Sequence, residues 1–150
     1  MQLLFNDLFE YNRHMNNELI RAMVQHRNTV SEKSVKWMNH ILNAHEVYNC
    51  RMQPARYQPP GTWDMRSLDE LAAINENNFK VSLAIMPLLD FDSMISYTTA
   101  TGIPMQNTVR DILFHVINHS TYHRGQIAAD FRETGLEPLV SDWVFYRRGK

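Results

Sequence analysis

The sequence predicts an all-α protein: a four-helix bundle, with a short hairpin or extended loop ahead of the last helix and an extended C-terminal tail. Three observations carry that expectation. Four stretches place apolar residues three and four positions apart, the spacing that gathers them on one side of a helix. A connector containing Pro59-Pro60-Gly61 separates the second stretch from the third and is long enough to cross from one end of a helix pair to the other. A length of 150 residues, 44% hydrophobic and 21% charged, suits one soluble domain with a sizeable core.

The first helix is expected from Leu4 to about Gln25, its stripe formed by Leu4, Leu8, Tyr11, Met15, Leu19 and Ala22 or Met23. His14 falls on its polar side, and His26 near its end, where a cation suits the helix dipole. Thr29 or Ser31 can cap a second helix over Glu32 to Met52, which Pro54 stops from growing further. Val35, Met38, Ile41, Leu42, Tyr48 and Met52 mark its inward stripe. In the connector from Pro54 to Arg66, Tyr57 and Trp63 are expected to cover part of the core.

Ser67-Leu68-Asp69-Glu70 has the form of a capping box, so the third helix should run from Ser67 to about Met86, with Pro87 helping to end it. Between Phe91 and Gln106 the texture changes. Ile95-Ser96-Tyr97-Thr98-Thr99 alternates and is β-prone, and Gly102 and Pro104 are turn residues. Asn107 or Thr108 caps the fourth helix, Asp111 sits favourably in its first turn, and Gly135 closes it. The tail from Leu136 to Lys150 carries Trp143, Val144, Phe145 and Tyr146. It is too aromatic to stand free and should pack along the bundle or against a second subunit.

Bulk properties exclude several classes. With 15 basic and 16 acidic side chains the net charge is -1, so no general basic field recruits nucleic acid. A single cysteine, Cys50, excludes an internal disulfide framework and a cysteine-pair metal site; it fits a reducing compartment, with the cytoplasm as default. The N-terminus has no basic segment followed by an apolar run, so no signal peptide is expected. The most apolar run, Val81 to Leu89, contains Ser82 and Pro87 and is too short to cross a bilayer.

The chemistry concentrates in the fourth helix. Val109, Ile112, Val116 and Ile127 share a stripe, His119 and His123 lie inside it, and His115 sits to one side. Imidazoles four residues apart stand about 5–6 Å apart at Cβ, a separation one metal ion can bridge. As core residues, each would need its own buried partner. The pattern lacks the glutamate of the zincin motif, so spacing alone leaves a metal site and a polar core layer both open. On the second helix, rotation from Met38 puts His45 near the middle of the stripe and His40 toward its edge, beside Trp37 and Ala44. Arg124 is rotated about 100° from His123, which suits a structural or interface contact; Gln126 lies nearer the histidine face, where it can orient a ligand or solvent. The nine methionines are read as filler among helices.

The run Asn118-His119-Ser120-Thr121-Tyr122-His123-Arg124-Gly125-Gln126-Ile127-Ala128, preceded by Asn107-Thr108-Val109-Arg110-Asp111-Ile112-Leu113, closely resembles the last core helix of the DinB-like (damage-inducible, YfiT-like) family. Asn39-His40-Ile41-Leu42-Asn43-Ala44-His45 with Tyr48 is similar to that family's second helix. Gly135-Leu136-Glu137-Pro138 and Asp142-Trp143-Val144-Phe145-Tyr146 fit as well. The resemblance implies a bundle in up-down-down-up order, often dimeric, holding a divalent ion between three histidines. Two match His119 and His123. The third, in the family pattern, precedes a large aromatic by eight residues, which points to His40 ahead of Tyr48, and Tyr48 departs from the more usual tryptophan. His45 then remains as an alternative ligand or, with Gln126, as a residue supporting the ligands.

Three histidines leave a coordination position open, the mark of a catalytic rather than a closed structural metal. Relatives with assigned activities resemble thiol-dependent enzymes, including mycothiol- and bacillithiol-dependent transferases and maleylpyruvate isomerase. The leading expectation is therefore a metal-dependent enzyme that transfers a low-molecular-weight thiol to an electrophile. It would use His40, His119 and His123 as ligands of Zn or Ni, with Fe or Cu also accepted by imidazoles. A hydrolase using metal-bound hydroxide, or a non-catalytic stress-response protein that binds a metal or ligand, fits the same residues. Small-molecule thiol and electrophile, and a second copy of the chain, are the expected partners; nucleic acid and membrane are not.

Overall fold

A computed structural model describes residues 1–53 and 57–148. Pro54, expected to stop the second helix, lies outside the described residues, as does the very end of the tail. Most of the chain is helical: α1 (Gln2–Gln25), α2 (Glu32–Met52), α3 (Leu71–Ile85), α4 (Val109–Glu133) and a short α5 (Trp143–Arg147). A 3-10 turn over Met86–Leu88 contains Pro87 and follows α3. One antiparallel hairpin, β1 (Met94–Thr98) and β2 (Pro104–Thr108), precedes α4. Among the described residues no helix is long and apolar enough to cross a membrane.

Local chemistry sets these boundaries. The Ser31 hydroxyl accepts the Ser34 amide at 3.0 Å and starts α2, leaving the alternative cap Thr29 in the preceding turn. Thr108 accepts the Asp111 amide at 3.2 Å and starts α4. Two further α4 amides are satisfied by the segment ahead of the hairpin: Val109 donates to the Ser93 carbonyl at 3.0 Å and Arg110 to Phe91 at 3.1 Å. At the other end Gly135 takes φ +78°. Leu136 donates back to Phe131 at 2.8 Å and Gly135 to Arg132 at 3.3 Å, a Schellman closure that a side chain at the glycine would strain.

Three expectations need correction. The α1 stripe begins one position later than expected: Leu4 is 57% exposed, whereas Phe5 and Phe9 are buried. Leu3, Leu4 and Phe5 are all apolar, so periodicity is blind in the first turn, and Phe5 goes inward because its ring stacks on Phe91 at 5.7 Å. The third helix starts at Leu71, not Ser67. Glu70 does accept the Ser67 amide at 2.9 Å, but the serine hydroxyl donates to that same carboxylate and leaves the helix amides uncapped, so 67–70 forms a turn. Pro104 does not turn the chain but opens β2 opposite Thr98, a first-strand position that tolerates the missing N–H; Gly102, at φ +83°, makes the turn.

The four long helices pack on one another, α2 against α4 and α3, and α1 against α3 and α4. Two apolar clusters result. One joins Phe5, Phe9, Met52, Met86, Ile112 and Leu113; the other joins Leu19, Met23, Met38, Leu42, Ile127 and Phe131. Along α1 and α4 the stretch between them is polar yet buried, occupied by Asn12, Asn16, Ser120 and Arg124. Arg124 is 3% exposed, and among the described residues no carboxylate pairs with it. Its guanidinium donates to Asn12 Oδ1 at 2.5 Å, Asn16 Oδ1 at 2.8 Å and Thr121 Oγ1 at 2.9 Å. Asn16 in turn donates to Asn75 on α3 at 3.2 Å, so one cation fixes the mutual placement of three helices.

The C-terminal segment packs on this framework. Leu136 and Leu139 cover the second cluster, the Tyr11 hydroxyl donates to the Ser141 carbonyl, and Trp143 and Tyr146 meet the Tyr11 ring at 5.2 and 5.3 Å. Because the Asn12 bond to Arg124 involves a buried charge, Asn12→Ala should cost about 1.5–3 kcal/mol. Urea denaturation should show this as a lower midpoint with an unchanged slope.

Candidate metal centre

Packing of α2 against α4 brings His40 to His119 and His123. His119 Nε2 lies 3.1 Å from His40 Nε2 and 3.1 Å from His123 Nε2, and one ring nitrogen from each of the three lies within 4.8 Å of the others. For comparison, one edge of a tetrahedral site with metal–nitrogen bonds of about 2.0–2.1 Å measures about 3.4 Å.

The outer face of each ring decides where its proton sits. His40 Nδ1 is 2.9 Å from the Thr62 carbonyl, which only accepts, so that nitrogen carries the hydrogen. His123 Nδ1 stands in the same relation to Gln126 Oε1 at 2.5 Å. Burial lowers the pKa of both His40 and His123 and, with the neighbouring histidines, pushes His119 down to about 3. All three rings are therefore neutral near pH 7. With Nδ1 protonated, the bare Nε2 lone pairs of His40 and His123 both aim at His119 Nε2, where one proton at most is available to satisfy them. A single divalent cation can engage all three lone pairs at once. Neutral imidazoles locked by hydrogen bonds behind the ligating atom are a donor set that several divalent metals accept.

Aromatic rings flank the cluster. Trp63 stacks on His40 with centroids 3.8 Å apart and planes 8° apart, and Trp37 stacks on His123 at 4.6 Å and 20°. Trp63 arrives on the connector, which α2 holds by its asparagines. Asn39 accepts the Arg66 amide at 2.8 Å and donates to the Arg66 carbonyl at 3.3 Å, while Asn43 donates to the Asp64 carbonyl at 2.8 Å. The expectation that Trp63 merely covers core thus missed its place, since it is 47% exposed and lies on a histidine of the cluster. Buried Asn39 and Asn43 on the inner side of α2 were the available signal.

His45 is not brought to the cluster. It lies five residues beyond His40, about 140° further round the helix. The rotation count is correct that it faces inward, but it faces Phe9 of α1, at 5.5 Å between rings, and Ser82 of α3. Ser82 Oγ donates to Asn49 Oδ1 at 2.7 Å and accepts from His45 Nε2 at 2.8 Å, while His45 Nδ1 has no hydrogen-bond partner among the described residues. His45 is therefore neither an alternative ligand nor in contact with one. His115 lies beside the cluster, its ring 5.3 Å from that of His119. Gln126 sits against His123 as described, and Arg124 points away into the α1 contact.

The DinB family model matches residues 6–150 of the chain. Among curated proteins the chain is similar to Protein DinB of Bacillus subtilis (strain 168), with 45% identity over 47 residues, 31% of this chain. That match spans 27% of the relative's length.

Two outcomes follow from the geometry. Gln126→Leu removes the acceptor that fixes the His123 tautomer and should weaken metal binding by about 10–100-fold in a chelator competition, with the melting curve of the metal-free protein little changed. For His45, burial pushes the pKa down to about 3. An unfolded chain takes up a proton near pH 6.5 that the folded one refuses, so this contribution to stability is complete above pH 6.5 and declines as the pH falls toward 3. Urea titrations of the metal-free protein should show the pH slope of the His45→Gln variant reduced by about 1.4 kcal/mol per unit across that window.

Proposed function

The chain belongs to the DinB family, and from that footing we propose that it is a metal-dependent enzyme whose His40, His119 and His123 hold one divalent ion, Zn or Ni, with a coordination position left open for substrate. The observation that carries the reading is the convergence of three neutral imidazoles, two of them with Nδ1 committed to an oxygen acceptor. The reaction best suited to such a site, and to the thiol-dependent enzymes that relatives with assigned activities resemble, is transfer of a low-molecular-weight thiol to an electrophile. When bound, a divalent ion would supply Lewis acidity able to bring a thiol's pKa toward neutrality.

The protein's own residues do the rest. The Thr62 carbonyl and Gln126 hold the ligand rings in the tautomer that leaves Nε2 bare. Trp37 and Trp63 fix the ring planes and keep water off their faces. Burial keeps the three imidazoles from competing for protons as the thiol's own proton leaves for solvent. We read the four long helices as a bundle in up-down-down-up order, a reading supported by the packing of α1 on α3 and α2 on α4. Tyr122, exposed on α4, supports a homodimer through its face of that helix, and the lone free Cys50 supports a cytoplasmic setting.

Elemental analysis of protein purified without a nickel column should find close to one equivalent of Zn or Ni per chain, and under about a tenth of an equivalent in His119→Ala. Loaded protein mixed with a panel of thiols and a model activated aryl halide should form the aryl thioether, the C–S bond replacing the C–halogen bond as halide and the thiol's proton are released to solvent. His123→Ala should lower kcat/KM by at least about a hundredfold, a loss of about 2.7 kcal/mol of transition-state stabilisation. Turnover that survives His123→Ala intact overturns the enzyme reading; a metal-free chain overturns the site.

A further inference from the structure

Next to the histidine cluster, and not part of it, is a cavity of about 350 Å³. Its walls are drawn from Tyr48 of α2, Tyr97 and Asn107 of the hairpin, and Asp111, Phe114 and His115 of α4. His115 is the junction with the cluster: its ring lies 4.9 Å from Tyr48 and 5.3 Å from His119. The aromatic wall is fixed from behind. Tyr97 donates to Asn107 Oδ1 at 2.8 Å, and its ring meets that of Tyr48 edge-on at 6.1 Å. The Arg51 guanidinium covers both rings, at 4.8 and 4.1 Å, while donating to the Thr98 carbonyl at 3.1 Å.

The charge of this wall selects its occupant. Among the described residues Asp111 is the acidic side chain that lines the cavity, and no lysine or arginine lines it. Its carboxylate accepts the Thr108 hydroxyl at 2.5 Å, and among the described residues no basic side chain forms an ion pair with it. Arg51 is already engaged by the two tyrosine rings and the Thr98 carbonyl and is not among the lining residues, so the charge exposed to an occupant is the Asp111 carboxylate, which has no ion-pair partner among the described residues; an apolar cavity with that one charge favours a flat apolar body bearing a protonated amine over one bearing a carboxylate.

We propose that this cavity binds the non-reacting end of the substrate, an aromatic small molecule carrying a primary amine, and directs its other end past His115 to the histidine cluster. Binding of the amine stands on the cavity alone; the placement of the reacting end rests on the metal-dependent reading above.

The test uses calorimetric titration of metal-free and zinc-loaded protein with 2-phenylethylamine, 2-phenylethanol and phenylacetate. The amine should bind in both states, at least about tenfold more tightly than the alcohol, with phenylacetate weakest, a difference of about 1.4 kcal/mol for the first pair. Asp111→Asn should erase the preference of amine over alcohol. Met105→Trp places a large ring at the cavity edge, where Met105 is 41% exposed, and should weaken the amine at least about tenfold while leaving bound zinc per chain unchanged. No binding of the amine, equal affinity for amine and alcohol, or amine affinity untouched by both substitutions overturns the proposal. Because the metal-free protein is titrated as well, an absence of metal dependence in the enzyme assay leaves this result standing, and the two readings fail separately.

Discussion

Asn39 and Asn43 clasp the backbone of the connector at Arg66 and Asp64, and that clasp carries the Thr62 carbonyl to His40 Nδ1 and the Trp63 ring onto the His40 face. Without it, His40 would be a half-buried imidazole at the edge of α2, free to turn and to take either tautomer. With it, the ring has one orientation and one bare nitrogen, aimed at α4. A segment that looks like a mere link between helices is thus the outer wall of the site. The cost of burying two amides on α2 is offset because each bonds backbone groups that would otherwise lack partners.

The same logic runs through the interior. Arg124, Asn12, Asn16 and Asn75 tie α4 to α1 and α3, and His45, Ser82 and Asn49 tie α2 to α3. A buried cation surrounded by neutral amides contributes little net stability, but it is intolerant of slippage: shifting α4 by one turn would leave the guanidinium in an apolar cluster. Register on α4 matters because His119 and His123 flank Ser120 and Arg124 in sequence. Fixing the polar contact on one side of the helix fixes the ring positions on the other.

Much of this was legible in the sequence, and the misses share a cause. The bounds of α2, the caps at Ser31 and Thr108, the closure at Gly135 and the hairpin before α4 depend on interactions within a few residues, and the sequence carries those directly. His119 and His123 were visible by spacing, but choosing His40 over His45 needed a family register, because inward rotation cannot say which neighbour a residue faces. Phe5 in place of Leu4, and the hydroxyl of Ser67 turned to Glu70, were settled by particular partners that no period encodes. The buried asparagines leave no trace in an apolar pattern, so the connector's role could be read only from the placement of Asn39 and Asn43 on the inner side of α2. The cavity beside His115 is built from α2, the hairpin and α4, so only their assembly makes it apparent.

Stacking of Trp63 on His40 and of Trp37 on His123 has an optical consequence. Two indoles lie in van der Waals contact with rings of the cluster, while the third, Trp143, packs on Tyr11 instead. The molecule therefore contains its own reporter and its own reference. An ion with unpaired electrons arriving among those imidazoles would quench two of the three emitters and spare the other, whereas a closed-shell ion would leave the spectrum bright. The colour and intensity of the protein's native emission thus distinguish what kind of ion has been taken up without any added label.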